Sequence, residues 1–95
     1  MLLEFHPAAT KEADAATDWY AERSLVVARA FVSELIRAVD KVMEDPERWP
    51  LFENDTRRYV FPQFPFSRIY RTRHDKIQII AIAHSKRQPG YWKKR

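Results

Sequence analysis

The fold can be read outward from residues 77–91, IQIIAIAHSKRQPGY, near the C-terminus. Its first part, Ile77–Ala83, is almost wholly apolar and rich in β-branched side chains, with no Gly or Pro. Such a run predicts a strand that is buried on both faces. The chain turns polar at His84, and Pro89-Gly90 ends the extended segment. We therefore expect a central strand that delivers a His, two cations and an aromatic pair to one edge of a small domain.

The composition fits one small domain without cysteine chemistry. Ninety-five residues suffice for a single modest core. There is no Cys, which excludes disulfides and thiolate metal sites. The three His are scattered and there is no glycine-rich phosphate loop, so we predict neither a metal site nor a cofactor. No secretory leader and no run of about 18 apolar residues are visible, so we expect a cytoplasmic protein without a membrane partner.

Charge is distributed very unevenly along the chain. Residues 1–56 carry six Lys/Arg and twelve Asp/Glu, whereas residues 57–95 carry eleven Lys/Arg and a single acid, Asp75. Because surface charges of both signs normally mix, a basic half of this size predicts a polyanionic or acidic partner. The alternative is a solvated sheet edge that is balanced by acidic helices.

The acidic half has helical periodicity. Pro7 suits the first turn of a helix, and an alanine-rich face follows at Ala9, Ala13, Ala16 and Tyr20. Ser24 is a suitable N-cap for a second helix, which Pro46 ends near Asp45. Its predicted apolar stripe is Ala28, Phe31, Leu35, Val39 and Val42, and Glu34 is placed on the polar face. The two segments predict an antiparallel helical hairpin.

The rest of the chain has strand periodicity. Leu2–Phe5 predicts an edge strand, and a three-stranded meander follows at Arg57–Phe61, Pro65–Arg73 and Ile77–His84. Trp49–Phe52 is interpreted as an apolar loop. The predicted fold class is α+β in the order β-α-α-β-β-β, a small antiparallel sheet packed on an N-terminal helical hairpin, as one domain over residues 1–95. We expect Ile69, Ile80 and Ile82 to pack on the hairpin.

Several motifs in this order carry a resemblance to a known family. They are WY at residues 19–20, DPERWP at 45–50, RR at 57–58, FPFSRIYR at 64–71 and the H-x-x-R-x-P-x-Y-W ending at 84–92. Together they resemble the RelE/ParE toxin superfamily, most strongly its ParE-like branch of plasmid stabilisation proteins. The resemblance implies a bacterial toxin of a type II toxin–antitoxin module. It also implies a toxin–antitoxin hetero-oligomer, in which an acidic, partly disordered antitoxin segment inactivates the toxin.

The superfamily divides by mechanism. RelE-like members resemble ribosome-dependent mRNA endonucleases, which need groups to move protons and to neutralise phosphate charge. The residues that match such a catalytic set here are Arg58, His84, Arg87 and Tyr91. Val60 and Ser67 occupy two further positions where basic groups are expected, and Arg68 is expected on the opposite strand face from Ser67. This favours ParE-like inhibition of DNA gyrase, which needs no hydrolytic site, so we expect a protein that is not an enzyme. The alternatives are an mRNA endonuclease on the ribosome and a non-toxic member that only binds its antitoxin.

Contact with the target or partner is predicted for the basic and aromatic residues of the C-terminal half: Arg57, Arg58, Arg68, Lys86, Arg87, Tyr91, Trp92, Lys93, Lys94 and Arg95. Structural roles are the alternatives. The RR pair can protect a sheet edge from aggregation, His84 can cap the strand end, and one of the two C-terminal rings can plug the core. We expect residues 93–95 to add little stability, because chain termini are usually frayed.

Overall fold

A computed structural model describes residues 2–95, which form one five-stranded sheet and a helical hairpin. In chain order the elements are β1 (Leu2–Phe5), α1 (Pro7–Ala21), α2 (Leu25–Glu44), β2 (Leu51–Phe52), β3 (Thr56–Val60), β4 (Phe66–Arg73) and β5 (Lys76–His84). The strands are ordered β1-β5-β4-β3-β2 across the sheet. The predicted α+β fold class and the order of helical hairpin and meander are confirmed.

Two details of the sheet differ from the prediction. β1 pairs with β5 in parallel, so the sheet is mixed rather than wholly antiparallel. The hairpin of α1 and α2 and the following antiparallel strands return the chain beside β1 in the same direction, which local periodicity does not reveal. Leu51–Phe52, predicted as part of a loop, pairs with β3 as a short edge strand.

The helix boundaries follow from their caps. His6 Nδ1 accepts a hydrogen bond from the backbone N–H of Ala8 at 3.1 Å, and Pro7 occupies the first turn. Ser24 Oγ accepts from the N–H of Val27 at 3.3 Å, which confirms the predicted N-cap. The prediction that Glu34 faces solvent is wrong: its side chain points into the core and the residue is 4% exposed.

The two faces of the sheet carry separate clusters, and a bulge in β5 puts Ile80 and Ile82 on opposite faces. Ile69 pairs with Ala81 and Tyr70 pairs with Ile79, so Ile80 has no partner in β4. Ile77, Ile79 and Ile82 join the core under the helical hairpin, together with Phe31 and Tyr70. Ile80 instead joins Ile69, Ala81, Ala83 and Trp92 in a second cluster. The expectation that Ile69 and Ile80 pack on the hairpin is therefore wrong, whereas Ile82 does.

Within residues 2–95 neither helix has the length and apolar character that crossing a membrane would require.

Candidate functional site: the basic edge and the interhelical crevice

The end of β5 is fixed by a tight turn around His84. The N–H of Ser85 donates to the carbonyl of Pro65 at 2.8 Å, and the N–H of Arg87 donates to the carbonyl of His84 at 3.0 Å. His84 Nδ1 accepts from the N–H of Lys86 at 3.0 Å. The imidazole thus caps the turn with Nδ1, which leaves that nitrogen unable to take a proton from a substrate in this geometry.

The segment after the turn folds back over the sheet. Gly90 has φ +84°, a backbone conformation that glycine adopts without strain. Trp92 is 3% exposed among Ile69, Ile80 and Ala81, and its ring stacks on Phe52 with centroids 5.6 Å apart. Of the two rings that close the chain, Trp92 is therefore the plug of the core, and Tyr91 stays half-buried at the surface.

Glu12, on α1, holds the C-terminal segment in place. Its carboxylate accepts from both terminal nitrogens of Arg95, at 2.9 and 3.0 Å, and from the Tyr91 hydroxyl at 2.7 Å. It also accepts from the N–H of Ile82 at 3.0 Å, while Arg95 donates to the carbonyl of Ile80 at 3.1 Å. Glu12 and Arg95 thereby occupy the edge of β5 beyond the end of β1. We call Glu12, Tyr91 and Arg95 the terminal clamp.

The terminal clamp corrects the expectation that residues 93–95 form a loose tail. Arg95 is mostly buried, its carbonyl accepts from Arg71 at 3.3 Å, and the carbonyl of Lys93 accepts from Asn54 at 3.3 Å. No role for Glu12 was assigned from the sequence. An acid beside the alanine face of α1 is the one signal that points to its role, and nothing in the sequence links residue 12 to residue 95.

The environment of Tyr91 keeps its hydroxyl protonated. Burial raises the pKa of Tyr91 well above its ordinary value near 10, and the hydrogen bond to Glu12 raises it further. The guanidinium carbon of Arg87 lies 3.9 Å from the centre of the Tyr91 ring. At neutral pH Tyr91 is therefore a hydrogen-bond donor and a platform for Arg87, and it is unsuited to act as a general base.

Three exposed cations surround the end of β5, and we call Arg58, Lys86 and Arg87 the basic edge. Arg58 and Arg87 line one small hollow of about 60 Å³ together with His84. Arg87 and Lys86 also line a larger cleft of about 720 Å³ against α1. The guanidinium of Arg58 stacks over Phe52 at 4.3 Å. Lys93 and Lys94 are exposed as well, so an exposed cationic surface is present at this end of the sheet.

Other predicted contact residues are engaged inside the fold. Arg57 donates to the carbonyls of Glu47 and Trp49 at 3.0 and 2.7 Å, which ties β3 to the loop after α2. Trp92 is buried and Arg95 belongs to the terminal clamp. These three side chains stabilise the fold, and they are not part of the exposed cationic surface.

Arg68 is placed differently from every other predicted contact residue. It lies on the helix-facing side of β4, opposite to Ser67 as expected, and it is 2% exposed. Its Nη2 donates to the carbonyl of Leu35 at 2.9 Å, but within residues 2–95 neither Nε nor Nη1 has a hydrogen-bond partner. Burial lowers the pKa of Arg68 to about 10, so the side chain remains charged at neutral pH.

Arg68 lies at a cavity of about 340 Å³ between the helices, which we call the interhelical crevice. Its walls come from both helices, β1 supplies Phe5, and the sheet contributes Arg68 and Ile82. The complete lining is Phe5, Ala9, Thr10, Ala13, Leu35, Ile36, Val39, Arg68 and Ile82. The sequence does not reveal this crevice, because its lining comes from five elements that are spread along the chain.

Comparison with known proteins identifies the family. The family of ParE toxins of type II toxin–antitoxin systems, parDE, matches the chain over residues 3–89. The chain belongs to the ParE toxin family. A solved structure of the chromosomal ParDE toxin–antitoxin system from P. aeruginosa has the same fold, with a TM-score of 0.79 and 23% sequence identity over 88% of this chain and 95% of that chain. No protein of curated function matches the sequence.

Membership confirms the resemblance drawn from the motifs. This ParE family member is a toxin of a type II toxin–antitoxin system, and the partner that such a system implies is an antitoxin. The match ends at residue 89, before the terminal clamp is complete. Tyr91 and Arg95 of the terminal clamp thus lie outside the part of the chain that the family match covers.

Proposed function

We propose that this ParE family member inhibits DNA gyrase in the cytoplasm through protein–protein contact at the basic edge, and that a cognate antitoxin neutralises it. The observation that carries the proposal is the exposure of Arg58, Lys86 and Arg87 without a complete set of proton-transfer groups beside them. Exposed cations of this kind favour an acidic protein surface as the target.

The neighbouring groups are poorly suited to RNA cleavage. Val60 is 58% exposed at the position where a basic group would serve an endonuclease, and Ser67 occupies a second such position. His84 uses Nδ1 to cap a turn, and Tyr91 is held protonated by Glu12. Loss of one preorganised charge contact typically costs about 10²–10³ in rate. A target that is inhibited by binding alone places no such demand on these residues.

Ribosome-dependent mRNA cleavage remains the second candidate because one observation favours it. Arg58, His84 and Arg87 line the same hollow, and two arginines beside an imidazole are able to hold a phosphate.

The antitoxin segment is expected to be acidic and amphipathic. Residues 57–95 carry eleven Lys/Arg against one acid, and Ile36, an exposed apolar side chain of α2, lines the interhelical crevice. Ordering a disordered segment costs several kcal/mol, about 2–5 or more, so the contact has to be large and partly apolar. These features support a toxin–antitoxin hetero-oligomer.

Two assays on the purified chain test the proposal. In a gyrase supercoiling assay, the chain should inhibit the enzyme, and Arg87→Ala should weaken inhibition while Lys11→Ala, an exposed cation on α1, should not. In a cell-free translation assay, messenger RNA on the ribosome should stay intact. Specific cleavage of that RNA would favour the endonuclease, and inactivity in both assays with normal growth of expressing cells would favour a non-toxic antitoxin-binding protein.

A further inference from the structure

We propose that Arg68 is an anchor for the antitoxin, and that the interhelical crevice takes an Asp or Glu side chain of the antitoxin segment flanked by apolar residues. The inference rests on the proposed neutralisation by an antitoxin and names the chemistry of its contact. It assigns a function to the one predicted contact cation that is both deeply buried and incompletely hydrogen-bonded within residues 2–95.

The guanidinium of Arg68 is left with unused donors. A guanidinium offers five N–H donors in a planar fork and stays protonated at neutral pH. Only the bond from Nη2 to the carbonyl of Leu35 is made, and Nε and Nη1 have no partner within the described residues 2–95. Burying a charge without full hydrogen bonding is unfavourable. Both unused donors are closed to solvent, so a carboxylate that enters the crevice would have to displace the side chains over them before it accepts their hydrogen bonds and relieves this cost.

The lining of the crevice makes a carboxylate between apolar side chains the best-matched ligand. Apart from Arg68 and Thr10, the nine lining residues are apolar, and within the part of the chain that the structure describes none of them is acidic. Ile36 and Phe5 are exposed at this site and offer apolar contacts. In a site sheltered from water, a charge-assisted hydrogen bond to a carboxylate is stronger than a neutral one. The crevice therefore selects for one acid in an apolar context rather than for a uniformly acidic segment.

Glu34 is the internal competitor for Arg68. It precedes Leu35 on α2, is almost fully buried, and has no hydrogen-bond partner for either carboxylate oxygen within residues 2–95. No ion pair within 4.0 Å joins it to Arg68 in the described part of the chain, and Glu34 does not line the crevice. A test must therefore separate a partner's carboxylate from Glu34.

A displayed library of random 16-residue peptides, selected on the full chain, supplies the probe. We expect the selected peptides to share one Asp or Glu between apolar residues. A synthetic peptide of that sequence should bind Arg68→Met about 10- to 100-fold more weakly, because a hydrogen bond to a charged group is lost. It should bind Arg73→Met, an exposed arginine of the same strand, within about twofold of the parent chain. Replacing the peptide's acid by its amide should weaken binding to the parent chain but not to Arg68→Met.

Several results would overturn the anchor. They are selected peptides without a shared acid, no selected peptides at all, or equal binding to the parent chain and Arg68→Met. The anchor would also be overturned if the effects of Arg68→Met and Glu34→Gln on the melting temperature were not additive while peptide binding stayed unchanged. That result would make Glu34 the partner of Arg68. Arg68→Met should melt no lower than the parent chain, since an unpaired buried charge is removed. If it fails to fold, Arg68→Lys keeps the charge without the planar fork and should still weaken peptide binding.

The protein encoded by the neighbouring reading frame separates this inference from the proposed function. If that protein binds the parent chain and Arg68→Met equally and restores growth, neutralisation stands and the anchor is wrong. If it does not bind and the chain is not toxic, the proposed function is wrong, and the peptide results alone then decide whether Arg68 recognises a carboxylate.

Discussion

The edge of β5 and the helix-facing side of the sheet each hold a mostly buried arginine, and the two arginines are in opposite states. Arg95, in the terminal clamp, is paired through both terminal nitrogens with Glu12. Arg68, at the interhelical crevice, donates from Nη2 to a backbone carbonyl, whereas Nε and Nη1 have no partner among residues 2–95. Both residues are cations in the same basic half of the sequence, and only the surrounding packing distinguishes them.

The difference shows which surface has its buried charge paired and its apolar area covered by the chain's own residues. After β5, residues 85–95 cover one face of the sheet with the Trp92 ring, and the guanidinium of Arg95 pairs with the Glu12 carboxylate of α1. The cations that remain exposed there, Lys86 and Arg87 among them, are free to contact a target. The interhelical crevice keeps both an apolar hollow and an unsatisfied charge, which is the condition expected of a surface that a partner completes.

The largest effect is expected for Trp92→Ala. Removal of a nearly fully buried indole leaves a cavity in the second cluster, beside Ile69 and Ile80, and should cost about 3 kcal/mol or more in the free energy of unfolding. In a domain of this size the melting temperature should fall by roughly 12 °C or more. Thermal melting followed by circular dichroism measures it. Trp19→Ala is the matched control, because that ring is 52% exposed, and equal losses for the two variants would show that Trp92 is not the plug.

A smaller effect is expected at the terminal clamp. Arg95→Gln and Glu12→Gln should each cost about 1–3 kcal/mol in chemical unfolding, because charge-assisted hydrogen bonds are lost in a partly buried site. The double variant should cost less than the sum of the single ones. Lys94→Gln changes a neighbouring exposed cation and should stay within about 0.5 kcal/mol. An effect of Arg95→Gln no larger than that of Lys94→Gln would restore the view of residues 93–95 as a loose tail.

High pH should weaken the clamp through Tyr91. Its pKa is raised in the folded state, so the stability it contributes is present below the unfolded pKa near 10 and is lost as pH rises above that value. One such group contributes a slope of at most about 1.4 kcal/mol per pH unit, and less where solvent reaches the ring. Urea unfolding between pH 9 and 11 should show a shallower loss for Tyr91→Phe than for the parent chain.

Tyr70→Phe provides the comparison for this measurement. Burial raises the pKa of Tyr70 to about 12, on the helix-facing side of the sheet. The parent chain should therefore lose stability above pH 10 through both hydroxyls, and each variant should remove part of the loss. An unchanged slope in Tyr91→Phe alone would mean that the Glu12 contact does not hold the Tyr91 proton in solution.

The smallest effect on stability, and the sharpest on function, is expected for Arg87→Ala. Its guanidinium is exposed above the Tyr91 ring, so the free energy of unfolding should change by no more than about 0.5 kcal/mol. Toxicity in a growth assay should fall, while antitoxin binding should change little. For Arg68→Met we expect toxicity to change little and antitoxin binding to fall. If Arg87→Ala keeps full toxicity with unchanged melting, target contact lies elsewhere on the basic surface, and a collapse in melting would make Arg87 a structural residue.

Most of the fold was accessible from the sequence because its signals are local. The period of the apolar residues predicts α1, α2 and β3 to β5, Ser24 and Pro7 mark helix starts, and the order of short motifs indicates the family. These signals depend on residues a few positions apart, which is the distance over which helices and strands are formed. The charge asymmetry that predicts a cationic surface is likewise a property of the chain alone.

The state of each arginine was decided only by the tertiary structure. The bulge at Ile80 places Ile80 and Ile82 on opposite faces of the sheet, and the path of residues 85–95 brings Arg95 to Glu12, 83 positions away. The packing of both helices over the sheet leaves a crevice at Arg68, so that a residue typical of a surface becomes a buried donor. Periodicity tells which face of an element is apolar, but it does not tell which distant side chains meet. That choice depends on how the whole core packs.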